Sequence, residues 1–418
     1  MRRCEDKNMW PLTLDLQQQQ NQSRKSMGNT TYFEPYRDDD DSASTTSKEE
    51  DSDQATTVHK DPNHASSSSL PLYSVIYRAF SGCLAPTSGF KSKDSGTGDN
   101  DSGSSLQFVP RNLNKFSFEE LKNATRNFGA DVKLGEGGFG QVYKGWIDEN
   151  TLTASKPGRG IAVAIKSLDV DSVQGYREWL AEVNFLGRLH HPNLVRLQGY
   201  CSEEEKLLLV YEYISLGNLE SNLFKRGSSS SSLSWSLRMK VALGAAKGLA
   251  FLHRADINVI CRDFKSSNIL LDSDYNPKIS DFGLAMLGPT NGMSYVSTRI
   301  MGTQGYSAPE YMSTGHLTAK CDVYSFGVVL LELLSGQQAF RPDRPSGEQC
   351  LVKWAKPYLR DKYLISRVLD RYLDGQYTWE SARKAAKLAL HCVATSPKSR
   401  PRMNEVVTVL KQLQGSNS

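Results

Sequence analysis

Cys261-Arg262-Asp263-Phe264-Lys265-Ser266-Ser267-Asn268, with Asp281-Phe282-Gly283 further on, is the stretch on which the fold turns. Two acids, a lysine and an amide in this order suit phosphoryl transfer. One carboxylate accepts the proton of an incoming hydroxyl, while the other and the amide offer oxygens to Mg²⁺ held against phosphates. An ordinary Asp turn explains any one of these residues, but not the ordered series.

Upstream, Val163-Ala164-Ile165-Lys166 ends a strand-like run on a lysine set among apolar residues. The plain alternative is an edge lysine whose stem lies over apolar surface. A functional lysine needs a carboxylate partner. Glu182 lies in a helical pattern downstream, and Glu178, one turn earlier, competes with it. Glu182 is preferred because Leu186, one turn beyond, enters the same buried seam. Before the lysine, Gly135-Glu136-Gly137-Gly138-Phe139-Gly140-Gln141-Val142 is a glycine-rich turn of the kind that lets backbone N–H groups approach phosphates. In a dinucleotide-binding fold a helix would follow these glycines directly. Here Val142, Tyr143 and Trp146 continue as a strand, which points to a hairpin lid over a nucleotide.

Around these motifs the chain divides in two. Residues 1–110 read as a disordered Ser/Asp-rich region, with Gln17–Gln20, Asp38–Asp41 and Ser66–Ser69 as single-residue runs and Ser92–Ser105 built only of small, polar and charged residues. The apolar patch from Leu70 to Phe90 reads as a docking segment, a membrane-surface stretch or an unstructured sticky one. Residues 111–127 form a lead-in helix segment, signalled by Ser117 with Glu120 three positions on. Residues 128–413 then read as one domain, a small β-rich half before a larger helical half, with 414–418 a short tail. Strand-like runs cover Lys133–Trp146, Ile161–Leu168 and Leu207–Ile214. Helical spacing covers 174–189, 235–253, 318–335, 350–360, 379–393 and the end of the chain.

Composition removes several classes of function. The 418 residues include 39% apolar ones, and no uninterrupted apolar run reaches the roughly 20 residues of a membrane span. The longest, Val323 to Leu334, is broken by Ser325, Gly327 and Glu332 and reads as a buried helix. No apolar core follows Met1-Arg2-Arg3-Cys4, so a secretory signal is not expected. Seven scattered cysteines without a Cys-x-x-Cys pair argue against a disulfide framework or zinc site. The first 110 residues carry a net charge of −5 and the rest +9, too diffuse for a nucleic-acid-binding stripe.

Taken in order, Gly135–Val142, Val163–Lys166, Cys261–Asn268, Asp281–Gly283 and Ala308-Pro309-Glu310 resemble the protein-kinase signature set. The resemblance spans about two-thirds of the chain and implies an α+β, bilobal protein-kinase fold that uses ATP and Mg²⁺. It implies that Lys166, paired with Glu182, grips the α/β-phosphates under Phe139 and the glycine hairpin, with Val142 and Ala164 lining the nucleotide site. Tyr211 falls at the gatekeeper position, which puts Glu212 and Ile214 at the adenine-contacting hinge. Asp263 is the catalytic base, Lys265 neutralises the transferred phosphoryl group, and Asn268 and Asp281 bind the metal. Thr303 holds Asp263 and the substrate hydroxyl in register, Glu310 pairs with Arg400, and Asp322 braces the catalytic loop. Lys265 and Gly302-Thr303-x-Gly305-Tyr306 match the serine/threonine class.

Phe116-Ser-Phe-Glu-Glu-Leu, Glu178-Trp-Leu-Ala-Glu-Val, His191-Pro-Asn-Leu-Val, Ser294-Tyr-Val-Ser-Thr-Arg299 and Asp322-Val-Tyr-Ser-Phe-Gly are similar to plant receptor-like cytoplasmic kinases of subfamily VII. That resemblance implies a relay in the cytoplasm or on the cytoplasmic face of the plasma membrane. Its partners would be protein substrates and upstream receptor kinases, notably in innate immunity. It makes Ser297 and Thr298 the leading activating phosphorylation sites, with Ser294 and Thr303 also candidates and Arg262 the expected phosphate partner.

Two departures from the family's pattern stand out. Cys261 replaces the family's usual His or Tyr and is read as a small buried filler beside Phe282 and Leu186. Arg2 forbids N-myristoylation from Met1. Peripheral membrane association would instead need Gly28, after a start at Met27, or palmitoylation of Cys4 and Cys83, and one acyl chain anchors only weakly. The rival reading is a kinase-fold scaffold without activity, whose usual mark is loss of Lys166, Asp263, Asn268 or Asp281. All four are present. A small-molecule phosphotransferase is disfavoured by Gly302–Glu310, which resembles a protein-substrate platform.

Overall fold

The computed structural model describes residues 113–137, 140–168, 173–203, 206–224, 232–290 and 292–415. Residues 1–110, with Cys4, Gly28, Cys83 and the Leu70-to-Phe90 patch, lie outside the described residues, as do Gly138 and Phe139 and the end of the tail expected over 414–418.

Six strands make the sheet of the first half: Asn114–Lys115 (β1), Lys133–Gly137 (β2), Gly140–Ile147 (β3), Ile161–Leu168 (β4), Leu197–Glu203 (β5) and Lys206–Glu212 (β6). They run in the order β1-β5-β6-β4-β3-β2. Side chains alternate across a strand, and here both faces are apolar. Ala164, Leu168, Leu207, Leu209 and Tyr211 join the main core, while Val163, Ile165, Leu208 and Val210 form a separate cluster on the outer face. The helix Val173–Leu186 packs Trp179, Val183 and Leu186 into the main core.

The lead-in segment covers the outer face. Its helix, Phe118–Ala124 (α1; Val173–Leu186 is then α2), starts at Ser117 with a capping box. The Ser117 hydroxyl accepts the Glu120 N–H at 3.2 Å, and Glu120 Oε2 accepts the Ser117 N–H at 2.8 Å. Phe116 and Leu121 bury themselves against the second cluster. The Phe116 ring lies so close to Gly199 that a Cβ there would come within 2.5 Å of it, so β5 needs glycine at this point. Three consecutive residues, Arg126, Asn127 and Phe128, then adopt positive φ (52°, 59° and 52°). Hydrogen bonds from Asn127 N to Lys122 O (2.7 Å) and from Phe128 N to the Thr125 hydroxyl (3.1 Å) hold the turn. Phe128 is thereby stacked on Phe118 and set edge-on to Tyr143 of β3.

The second half is helical. It contains Leu219–Phe224 (α3), Trp235–Leu252 (α4), Pro309–Thr314 (α5), Ala319–Ser335 (α6), Leu351–Arg360 (α7), Trp379–Cys392 (α8) and Met403–Gly415 (α9). Every residue from Cys321 to Ser335 is buried, which accounts for the longest apolar run without a membrane. Among the described residues no helix is long and apolar enough to cross one. Arg238 of α4, fully buried, ties this half together through Asp370 and the carbonyls of Leu233 and Leu333, each at 2.8 Å.

Two short antiparallel strand pairs carry the chemistry-bearing loops. Val259–Ile260 (β7) pairs with Met286–Leu287 (β10), and Ile269–Leu271 (β8) pairs with Pro277–Ile279 (β9). Residues 261–268 join β7 to β8, and 281–283 lie between β9 and β10. These pairings therefore bring the two motifs together although the sequence separates them. A third pair, Val296–Ser297 (β11) with His316–Leu317 (β12), anchors the segment before the Ala308-Pro309-Glu310 motif.

If Phe116 closes the outer face, Phe116→Ala should cost about 3 kcal/mol of stability, read by urea unfolding. A loss below about 1 kcal/mol would mean the lead-in segment is a surface attachment.

Candidate active site

Lys166 leaves β4 on the inner face, paired in register with Val142 of β3 and Leu209 of β6. Its ammonium lies 2.8 Å from Glu182 Oε1 on α2 and 3.1 Å from Asp281 Oδ1. Burial works against the lysine's charge, but Asp281 and Glu182 outweigh it and raise its pKa above the ordinary value. For Asp281 burial likewise pushes upward, and Lys166 and Lys265 hold the carboxyl below its usual range. The Tyr211 hydroxyl donates to Glu182 Oε2 at 2.5 Å, so both oxygens of Glu182 are engaged. Burial and then the Glu182 charge push the Tyr211 phenol's pKa up, which keeps it a donor. Glu178, the competing acid, does not reach the lysine. It accepts from Gln174 at 2.9 Å, and burial pushes its carboxyl up to about 8.

The residues around the hairpin and hinge divide by side chain. Gly137 and Gly140 pair across the hairpin. Gly140 has φ 149° and sits where a Cβ would be 1.9 Å from Ser167 O, so no other residue fits. Gly135 and Glu136 lie in β2, where Glu136 pairs with Lys133 at 2.6 Å. Ala164 and Tyr211 are register partners, and Val142, Ala164 and Ile214 are buried. Glu212 turns its carboxylate to Arg196 N (2.8 Å) and Lys278 Nζ (2.9 Å).

In the loop after β7, Asp263, Lys265 and Thr303 form a closed triangle. Thr303 Oγ1 donates to Asp263 Oδ1 at 2.7 Å, Lys265 Nζ donates to Thr303 Oγ1 at 2.8 Å, and Lys265 Nζ lies 2.9 Å from Asp263 Oδ2. Burial opposes the Lys265 charge, but Asp263 outweighs it and raises the pKa. Asn268 donates its amide to Asp263 O at 3.0 Å, while its buried Oδ1 has no partner among the described residues. Its backbone carbonyl accepts from Ser280, the neighbour of Asp281, at 2.9 Å.

Beneath the loop, Asp322 of α6 takes the backbone N–H of Cys261 (2.8 Å) and of Arg262 (2.9 Å) and contacts His253 Nε2 (2.8 Å). Arg262, at φ 70°, sends its guanidinium to the Thr298 hydroxyl at 3.0 Å and to the Tyr311 hydroxyl at 3.0 Å. Ser294 and Ser297 are exposed, and the Thr303 hydroxyl is already engaged. Glu310 and Arg400 make a two-pronged pair, both contacts at 2.6 Å. Cys261 is buried in the core that contains Leu186 and Phe282. Burial, with the charges of Asp322 and Asp263, pushes its thiol pKa well up, so it is an inert filler.

The family described as protein tyrosine and serine/threonine kinase matches residues 129–410. The chain belongs to that family. It is 63% identical over 306 residues to "Probable serine/threonine-protein kinase PBL10" of Arabidopsis thaliana, covering 73% of this chain and 74% of that one. It is 61% identical over 305 residues to "Receptor-like cytoplasmic kinase 176" of Oryza sativa subsp. japonica, covering 73% and 77%. To "Serine/threonine-protein kinase BIK1" of Arabidopsis thaliana it is 58% identical over 302 residues, covering 72% and 76%. The protein is thus a serine/threonine kinase with a β-sheet N-lobe and a helical C-lobe, similar to plant receptor-like cytoplasmic kinases, as its motifs imply.

Sequence reasoning missed three groups in this kinase: the Tyr211 bond to Glu182, the Tyr311 hydroxyl beneath Arg262, and the pairing of Tyr306 with Glu332. The last lies wholly inside the C-lobe, with Tyr306 OH donating to Glu332 Oε1 at 2.7 Å. Burial pushes Glu332 up to about 8, although Tyr306 and the Ala339 N–H pull the other way. Native Glu332 therefore keeps a proton that the unfolded chain releases above about 4.5. The stabilisation is full below that pH and is lost as pH rises through about 8. Urea melts should show Glu332→Gln gaining on wild type between roughly pH 5 and 8, and a difference independent of pH would contradict the assignment.

Proposed function

We propose that the chain transfers the γ-phosphoryl group of ATP to serine or threonine hydroxyls of proteins with Mg²⁺ as cofactor. We further propose that it acts as a cytoplasmic relay downstream of plant cell-surface receptor kinases, in innate immune signalling. The observation that carries the chemistry is the Asp263–Lys265–Thr303 triangle beside the Asn268 amide. A carboxylate fixed on both oxygens is aimed without reorganisation, which is how a general base gains effectiveness.

In this reading Thr303 holds the Asp263 carboxylate and the substrate hydroxyl in register, and Asp263 accepts the hydroxyl's proton as its oxygen attacks phosphorus. Lys265 neutralises charge on the transferred phosphoryl group. Lys166, oriented by Glu182, holds the α/β-phosphates beneath the glycine hairpin, with Val142, Ala164 and Ile214 forming apolar walls for the base. The residues also fit a hard divalent cation. Asn268 Oδ1 is a buried acceptor without a partner, and Asp281 is kept ionised. Mg²⁺ bound there would neutralise phosphate charge in the transition state.

The relay role rests on kinship: one relative is named a receptor-like cytoplasmic kinase, and the motifs are similar to that class. Of the candidate phosphosites, Thr298 has the hydroxyl that meets Arg262, where a phosphate would gain a charged partner.

Purified protein incubated with Mg²⁺ and ATP should acquire phosphate on Ser297 or Thr298, mapped by mass spectrometry. Asp263→Asn should lose at least about 100-fold of this turnover while still binding ATP. Retained turnover in Asp263→Asn would remove Asp263 as the base.

A further inference from the structure

Arg262 is a partly buried cation whose partners among the described residues are all uncharged: two hydroxyls, a carbonyl and a thioether. Arg262 reaches the strand of chain leading to Thr303 directly, at the Thr298 hydroxyl and Arg299 O, and a second time through the Tyr311 hydroxyl, which binds that segment at both Arg299 and Met301. That oxygen accepts from Arg262 Nε at 3.0 Å and from Met301 N at 3.0 Å, and donates to Arg299 O at 2.8 Å. A phenol has one proton to give and lone pairs for two donors, so its capacity is fully used. Tyr311 is only 2% exposed, so its hydroxyl is held by these partners rather than by solvent.

Between Met301 and Thr303 stands Gly302, with φ 122° and a Cβ direction that runs 3.3 Å from Arg262 O. The backbone there lies directly on the catalytic loop. A shift of residues 299–301 is therefore passed within two residues to Thr303, and from Thr303 to Asp263. On the other side, Arg262 is fixed by Asp322 in a conformation that L residues rarely adopt. Tyr311 thus connects a rigid support to the segment that carries a reacting-centre hydroxyl.

We propose that the Tyr311 hydroxyl is a positioning group for phosphotransfer. In the unphosphorylated chain it holds Arg262 and residues 299–301 in the arrangement that a phosphate on Thr298 would reinforce. The proposal rests on the roles given above to Asp263, Thr303 and Thr298. It makes the hydroxyl most important before activation and less so after, because a phosphate supplies Arg262 with a charge-assisted bond roughly twice as strong as a neutral one.

The test compares wild type and Tyr311→Phe as full-length chains, first treated with phosphatase, then phosphorylated in trans by wild-type kinase. The readouts are kcat and KM for ATP with a peptide substrate, together with thermal unfolding. In the phosphatase-treated state Tyr311→Phe should lose roughly 10- to 100-fold in kcat, with KM for ATP and unfolding temperature little changed. After Thr298 is phosphorylated the gap should narrow several-fold. In unphosphorylated protein Arg262→Lys, which lacks the Nε contact, should show a similar loss, and the double variant should fall little further.

Unchanged kcat in Tyr311→Phe, an equal loss in both phosphorylation states, additive losses in the double variant, or an unfolded Tyr311→Phe would each overturn the proposal. If phosphorylation leaves wild type no faster, the Thr298 reading fails. The kcat comparison in phosphatase-treated protein, with the double variant, then decides on Tyr311 separately.

Discussion

A single ammonium group between two carboxylates organises this kinase. Lys166 sits on the sheet, Glu182 on the helix that flanks it and Asp281 on a loop of the helical half, and all three meet within 3.1 Å. Taking such charges out of water is costly, and removing one partner leaves an uncompensated buried charge. The geometry is therefore conditional: the lysine is correctly aimed only when α2 and the Asp281 loop are both in place. Tyr211 strengthens that condition by occupying the second oxygen of Glu182, which fixes the carboxylate's rotation as well as its position.

The second support is Asp322. It belongs to a helix buried along nearly its whole length, so its position is as fixed as the core itself. By holding the N–H groups of Cys261 and Arg262 it stabilises a positive φ at Arg262, and Asp281 also has positive φ, 61°. Non-glycine residues in that region cost on the order of 1–3 kcal/mol each and persist only where the surroundings over-determine them. Both lie where side chains must be aimed, and the strand pairs β7–β10 and β8–β9 supply the constraint.

Much of this was legible from local pattern. Ile161–Leu168, a short apolar run ending on Lys166-Ser167-Leu168, is a strand with the expected bounds, and the run to Leu334 reads as a buried helix and is one. The preference for Glu182 over Glu178 followed from helical spacing alone, and the distances agree with it. What stayed hidden depends on contacts between distant residues. Strand β5 escapes because Leu197-Gln-Gly-Tyr-Cys carries a glycine and little alternation, and that glycine is explained only by the Phe116 ring packed on it. The lead-in segment looked like an approach to the domain because nothing local says that the sheet's outer face is apolar. The Glu212 carboxylate serves Arg196 and Lys278, a choice made by residues 16 and 66 positions away and invisible in the local sequence. Tyr311 gives no signal of its own, since Arg262 precedes it by 49 residues.

In the proposed mechanism Lys166 is useful only while Glu182, 2.8 Å away, holds it. The most direct test is single-turnover phosphotransfer by Glu182→Gln, which keeps the shape and removes the charge, with Mg²⁺–ATP affinity measured alongside. Affinity should stay within several-fold of wild type while transfer slows roughly 10- to 100-fold. Transfer at the wild-type rate would contradict it.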